Sequence, residues 1–270
     1  MFTERTPRVA AARRLTTRSG RDRADRFLAE GAQAVREALD WSERGAGPVF
    51  ELFATPIAAE RHAELWQRAA AAGVTTSLIT EKAAAGLSET VTPQGLVAVC
   101  GLVDIPLSAA LTGRPTLVAV LSEIADPGNA GTVLRVADAA GADAVIFAGS
   151  TVDPHNGKCV RATTGSLFHL PVTRERDVDA VLAACRAAGL RLVAADGYAD
   201  QNLDAADRAG DLAQPTAWLF GSEAHGLSEQ VRAQADTGLA VPLYGRAESL
   251  NLATAAAVCL YASARAQQAR

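Results

Sequence analysis

From residue 116 onward the chain alternates short apolar runs with amphipathic helical stretches, and no other feature constrains its fold as tightly. The runs LVAVL (117–121), AVIFA (144–148), LRLVAA (190–195) and TAWLF (216–220) carry little polar alternation. Strands of that kind are covered on both faces, as in parallel sheets flanked by crossover helices. The periodicity predicts strands at 116–122, 143–148, 190–195, 216–220 and 238–243, and helices at 129–140, 177–188, 226–235 and 249–267. The residues from 148 to about 165 read as a polar loop. This half is expected to be an open parallel sheet, and such sheets bind ligands beyond the carboxyl ends of their strands.

The first hundred residues read as a smaller α/β unit. Phe27, Leu28, Val35 and Leu39 fall near helical spacing across 24–39, although Gly31 weakens that helix. A strand at 49–54, a helix at 57–72 and strands at 74–79 and 95–103 follow. Asp104 to Pro115 contains two prolines and a glycine between regular patterns. The expected organisation is a basic N-terminal extension over 1–23, a small α/β domain over 24–105, a linker over 106–115 and a larger domain over 116–270.

Composition narrows the function classes. Apolar residues make up 49% and charged residues 21%, which is enough for a substantial core. No apolar run approaches the ~20 residues that cross a bilayer, and the Arg-rich start lacks an apolar signal segment, so a cytoplasmic chain with no membrane partner is expected. Cys100, Cys159, Cys185 and Cys259 are scattered without a CxxC pair, which predicts neither disulfides nor a metal site. The net charge is −4, but Arg5, Arg8, Arg13, Arg14, Arg18, Arg21, Arg23 and Arg26 crowd the N-terminus against only Glu4, Asp22 and Asp25. That asymmetry fits either a solvated helix or an arm that meets phosphates.

Three strand-end loops carry candidate chemistry. The first runs Asp126-Pro127-Gly128-Asn129-Ala130-Gly131, where Asn129 is suited to cap the following helix. Arg135 lies farther along that helix, within reach of an ordinary surface pair with Asp138. The second, Gly221-Ser222-Glu223-Ala224-His225-Gly226-Leu227-Ser228, nearly has Walker A spacing, but Leu227 replaces the phosphate-binding lysine. Its glycines would let backbone approach a ligand, with Glu223 at the mouth. The third runs from Val241-Pro242-Leu243 to Ser249-Leu250-Asn251-Leu252-Ala253, with Ser249 a candidate N-cap.

Taken together, Asn129-x-Gly131-x-x-x-Arg135, Phe220-Gly221-Ser222-Glu223-x-x-Gly226-Leu227, and Val241-Pro242-Leu243 with Ser249-Leu250-Asn251-Leu252-Ala253 resemble the three signature motifs of the SpoU, or TrmH-like, RNA ribose 2′-O-methyltransferases. Residues from Asp153 to Pro171 are also similar to that family. Over 24–103, Phe27-Leu28-x-Glu30-Gly31 and Thr92-Pro93-Gln94-Gly95-Leu96 resemble an L30e-like substrate-binding domain. The resemblance implies a deep trefoil knot of the SPOUT type, S-adenosyl-L-methionine as cofactor, an RNA partner and a homodimer. It implies cofactor contacts at Gly221, Val241 and Leu250, with Phe220, Leu243 and Ala195 nearby. Arg135 would be catalytic and supplied across the dimer, and Asn129, Glu223, Ser249 and Asn251 would position it and the ribose.

Lys158 and Arg161, with Arg13 and Arg14, are the expected RNA phosphate contacts. A two-domain layout resembles the family's ribosomal-RNA members, which points to 23S rRNA. The alternatives are a tRNA 2′-O-methyltransferase and a non-catalytic RNA-binding or ribosome-assembly protein of the same fold.

Overall fold

The computed structural model describes residues 1–269. Its first stretch runs α1 (Pro7–Arg13), α2 (Arg18–Ala24), β1 (Arg26–Glu30), α3 (Ala32–Glu43), β2 (Val49–Ala54), α4 (Pro56–Arg61), α5 (Ala63–Ala71), β3 (Thr75–Leu78), α6 (Glu81–Gly86) and β4 (Leu96–Gly101). Then come α7 (Leu107–Ala110), β5 (Leu117–Ser122), α8 (Pro127–Ala139), β6 (Ala144–Ala148), α9 (Gly157–Thr163), β7 (Val172–Glu175), α10 (Val178–Ala187) and β8 (Arg191–Ala195). The chain finishes with α11 (Leu203–Arg208), β9 (Thr216–Phe220), α12 (Glu229–Gln234), β10 (Thr237–Leu239) and α13 (Leu252–Gln268).

Two compact units divide these elements, one formed by 1–103 with 153–169 and the other by 104–152 with 170–270. The expected division at 105 to 116 is therefore incomplete. Residues 153–169 are no polar loop. They form α9 and a short 3-10 turn at Ser166–Phe168, and bury Asp153, His155, Cys159, Val160, Thr163, Leu167 and Phe168 in the first unit. The Asp153 carboxylate accepts from Arg21 Nε at 2.7 Å and from His155 Nδ1 at 3.2 Å, while His155 Nε2 accepts the Val103 backbone N–H at 3.2 Å. An Nε2 that accepts leaves the ring proton on Nδ1, facing Asp153. Burial pushes the Asp153 carboxyl up, but the His155 hydrogen bonds and the Arg21 charge outweigh it and hold the group well below the usual carboxylate range.

The first unit contains a four-stranded sheet of order β1-β4-β2-β3, antiparallel except for the β2–β3 pair. The helix expected over 24–39 splits here. Phe27 and Leu28 lie in β1, Gly31 turns the chain with φ 96°, and α3 starts after it. Residues 1–23 are not an extension either: Val9, Ala12 and Leu15 pack into a core with Leu28, Phe53, Val97 and Val99.

In the second unit all six strands are parallel, in the order β10-β8-β9-β5-β6-β7. The continuous apolar runs are buried as expected, LVAVL, AVIFA and TAWLF completely. The stretch expected as a linker is partly core, since α7 brings Ala110 and Leu111 against Val118, Ile146 and Leu182. On the opposite face α13 is tied to β9 by Trp218 Nε1 donating to Ser263 Oγ at 2.9 Å, both buried.

Candidate active site

Strands β5 and β9 are neighbours, yet the chain leaves β5 toward β6 and leaves β9 toward β10. Neighbouring strands whose connections run in opposite directions mark a topological switch point, the usual ligand position in an open α/β sheet. The β5 loop swings out of the sheet at Glu123, whose φ of 58° is a left-handed conformation that costs a non-glycine residue free energy. It reaches α8 at Asp126, which is the N-cap: its carboxylate accepts the Asn129 backbone N–H at 2.8 Å, and Pro127 takes the first helical position. The cap expected at Asn129 thus belongs to Asp126, and the Asn129 side chain is left to reach elsewhere.

Where it reaches is Glu223, in the loop after β9. Glu223 accepts from Asn129 Nδ2 at 3.0 Å and from the backbone N–H groups of Ala125 and Asp126 at 3.3 Å each. An ionised carboxylate only accepts, so Asn129 must present nitrogen to it and oxygen to the other side. On that side Asn251 Nδ2 donates to Asn129 Oδ1 at 3.0 Å. Asn251 Oδ1 in turn accepts from the Ala253 and Thr254 backbone N–H groups at 2.9 and 3.3 Å. Donation runs one way from the first amides of α13 to Glu223, and each amide orientation fixes the next. Partial burial raises the Glu223 carboxyl, but Asn129 and the backbone N–H groups outweigh it and lower its pKa. Glu223 is therefore an anionic anchor for Asn129 rather than a proton donor.

Residues 116–261 match the model of the SpoU rRNA Methylase family, and residues 6–98 match the MRM3-like substrate binding domain. The chain belongs to the SpoU rRNA methylase family. It is 35% identical over 252 residues, 92% of each chain, to the 23S rRNA (guanosine(2553)-2′-O)-methyltransferase RlmP of Bacillus subtilis. The SpoU methyltransferase AviRb of Streptomyces viridochromogenes, solved with AdoMet, superimposes with a TM-score of 0.82 at 30% identity, covering 98% of this chain and 100% of that one. An AdoMet-bound rRNA methyltransferase from Sinorhizobium meliloti gives 0.82 at 31% identity, covering 96% and 95%.

The remaining SpoU-motif residues lie at the end of β9 and in the loop after it, around the start of α13 and, for Arg135, well along α8. Ser249 is not a cap, since α13 starts at Leu252 with Asn251 capping it, and Ser249 is exposed in the preceding loop. Arg135 is exposed on α8. At ~100° per residue it projects about 120° around the helix from Asn129. Gly221 does not leave room for a ligand: a Cβ there would lie 2.1 Å from the Gly226 carbon and 2.1 Å from the Leu227 nitrogen. Its lack of a side chain lets the loop close on itself, through Ser222 N–H to Gly226 O at 3.0 Å and Gly226 N–H to Ser222 O at 2.8 Å. Phe220 is buried beside Trp218 and offers only backbone. Ala195, Val241 and Leu250 are half-buried and Leu243 is 40% exposed, at or beyond the ends of β8 and β10.

In the first unit Arg13, Arg14 and Lys158 are exposed. Arg161, expected to meet phosphate, is instead engaged by carboxylates, Glu30 at 3.3 Å and Glu89 at 4.0 Å. Arg21 is likewise committed to Asp153 and to the Leu15 and Thr16 carbonyls. Two site features escaped the sequence reading, the Asp126 cap and the Glu123 turn. An aspartate directly before a proline is a recognisable cap signal, whereas nothing in sequence announces a left-handed glutamate.

Proposed function

We propose that the chain is an S-adenosyl-L-methionine-dependent RNA 2′-O-ribose methyltransferase acting on 23S rRNA. The observation that carries the reading is the Glu223–Asn129–Asn251 relay, which joins all three SpoU motifs at the switch point of the sheet. The similarity to RlmP and AviRb supports the RNA class, and the match to a substrate binding domain supports the role of the first unit, read here as L30e-like.

The residues present fit the cofactor. Ala195, Val241, Leu243 and Leu250 offer partly exposed apolar surface at or beyond adjacent strand ends, and residues 241–251 form neither helix nor strand, leaving backbone groups outside the regular ladders. Bound there, S-adenosylmethionine supplies an electrophilic methyl group. The protein's own work is then orientation: the relay holds Asn129 and Asn251 at fixed rotation, so their remaining amide hydrogens can align a ribose, with Ser249 beside them. A guanidinium stays protonated and cannot take the 2′-hydroxyl proton, which passes to solvent water, so the proposed work of Arg135 is to stabilise the charge developing on the 2′-oxygen.

We assign Arg135 to the site of a partner protomer. The turn of the helix between Asn129 and Arg135 favours this, as does a groove of about 690 Å³ between the end of α8, α11 and α13, lined by Val258 and Tyr261, which are 39% and 51% exposed. The trefoil knot is part of the same proposal, and Asn251 reaching back across 122 residues to Asn129 supports it.

Calorimetry with S-adenosylmethionine tests the cofactor, and a non-catalytic RNA-binding protein would give no heat. Mixing Arg135→Ala chains with chains disabled at the cofactor loop tests the dimer. Recovery of up to ~25% of activity is expected for a two-fold arrangement, and no recovery after verified subunit exchange would place Arg135 in its own protomer's site.

A further inference from the structure

The first unit carries a second built feature, on the sheet face that α1 covers. The β2–β4 register breaks so that Val49 faces Cys100 while Glu51 faces Val99, which makes Phe50 the extra residue of a bulge. Bulges re-aim side chains. Here Phe50 packs beside Val9, Ala12 and Leu15, and its neighbour Glu51 also turns to this face and pairs with Arg8 of α1 at 3.6 Å. Each bulge residue thus holds an arginine. The Arg26 guanidinium lies 3.7 Å from the centre of the Phe50 ring, and Glu51, which also accepts from Ser77 Oγ at 2.8 Å, fixes Arg8. Arg8 is 53% exposed and Glu51 only 13%, so the surface offered is cationic. These four side chains rim a groove of about 300 Å³ floored by Ala12, Leu15 and Val99. Arg5, Arg13, Arg14, Arg18 and Arg23 are exposed on the adjoining turns.

We propose that this groove holds one unpaired base of the RNA, stacked on the outer face of the Arg26 guanidinium, with a flanking phosphate on Arg8; the inference rests on the RNA reading above. A guanidinium is planar and weakly hydrated, and unstacked RNA bases are recognised by stacking on arginine planes and aromatic rings. Seated 3.7 Å over the Phe50 ring, the Arg26 guanidinium is positioned before the base arrives, which removes part of the cost of binding. The surrounding arginines match a phosphate chain in charge. A merely structural Arg26–Phe50 contact would close the sheet edge without discriminating single strands from duplexes.

The test uses the full chain with a short single-stranded oligoribonucleotide containing 2-aminopurine and a duplex of the same sequence, read by anisotropy and 2-aminopurine quenching. Arg26→Lys keeps the charge at an exposed position and removes the plane. It should weaken single-strand binding by about fivefold or more, the effect of one base stack, and reduce the quenching while leaving duplex binding unchanged. Phe50→Leu should do the same if it melts like wild type, and Arg8→Ala should weaken both RNAs and flatten the salt dependence. Arg26→Lys binding the single strand as tightly as wild type, an equal loss on both RNAs, or no single-strand binding by wild type would overturn the platform. Methyl transfer to unmodified 23S rRNA is measured in parallel. Transfer with an unaffected Arg26→Lys sinks only the platform, whereas no transfer by wild type sinks the enzymatic reading itself.

Discussion

Replacing Gly221 by alanine probes the loop after β9 at its tightest point. The new Cβ would sit 2.1 Å from the Gly226 carbon, 2.1 Å from the Leu227 nitrogen and 2.4 Å from the Gly226 oxygen, all backbone atoms that cannot rotate away. Relief requires the two limbs of the loop to part by on the order of 1 Å, which breaks the paired hydrogen bonds between Ser222 and Gly226. At ~0.5–1.5 kcal/mol each, their loss costs about 1–3 kcal/mol, and at roughly 2–4 °C per kcal/mol for a domain of this size the melting temperature falls by about 2–12 °C. Function suffers more than stability, because Glu223 lies within the parted loop. A shift of ~1 Å at a positioning group can lower turnover ~100-fold. Thermal melting, cofactor calorimetry and single-turnover methyl transfer read the three effects. Gly226→Ala is the control: nothing lies within 4 Å of its Cβ, and only its φ of +66° resists the change, so a milder loss is expected. A folded Gly221→Ala protein with wild-type cofactor affinity and turnover would refute the reasoning.

Three further outcomes follow from the structure. Glu223 has a lowered pKa, so its contribution is complete above the ordinary carboxylate range and lost as pH falls through its own lowered value; melting curves should show Glu223→Gln losing stability relative to wild type near neutrality and converging with it in acid, and parallel curves would count against the relay. Asp153→Asn leaves the buried Arg21 unpaired and should destabilise the first unit by ~3–5 kcal/mol, measurable by denaturant unfolding; a cost under ~1 kcal/mol would show the pair to be dispensable. Neutralising exposed Arg13, Arg14 and Lys158 together should weaken RNA affinity and shallow its salt slope by up to ~3 in log–log units, whereas an unchanged slope would remove these side chains from the interface.

The second sheet was legible because burial on both faces writes each strand as an unbroken apolar run, so β5, β6, β8 and β9 emerge within a residue or so of their true ends. β7 carries only two fully buried residues and lies at the sheet edge, and its pattern was too weak to read. β1 is hidden in the sequence because Phe27 and Leu28 fall at helical spacing with Val35, and only the backbone at Gly31 separates the two elements. The segment around α9 looked like a loop because its polar residues are buried against partners: Asp153 against Arg21, and His155 against Val103. Such pairing is a tertiary fact with no local periodicity. Asn129, Glu223 and Asn251 are candidates by resemblance, and the structure adds the hydrogen-bond relay that joins them. That relay depends on Asp126 taking the cap, a competition between two residues three positions apart that propensity alone does not decide.

The proposed reaction is methyl transfer to a ribose oxygen of 23S rRNA at the Glu223–Asn129–Asn251 site. Its most direct test incubates the full chain with S-adenosylmethionine and unmodified 23S rRNA, then digests the RNA to nucleosides for mass spectrometry. One new 2′-O-methylnucleoside is expected, absent with Arg135→Ala and sharply reduced with Asn129→Ala. A base-methylated nucleoside, transfer to tRNA but not to 23S rRNA, or no transfer by a protein that is folded and binds the cofactor would contradict it.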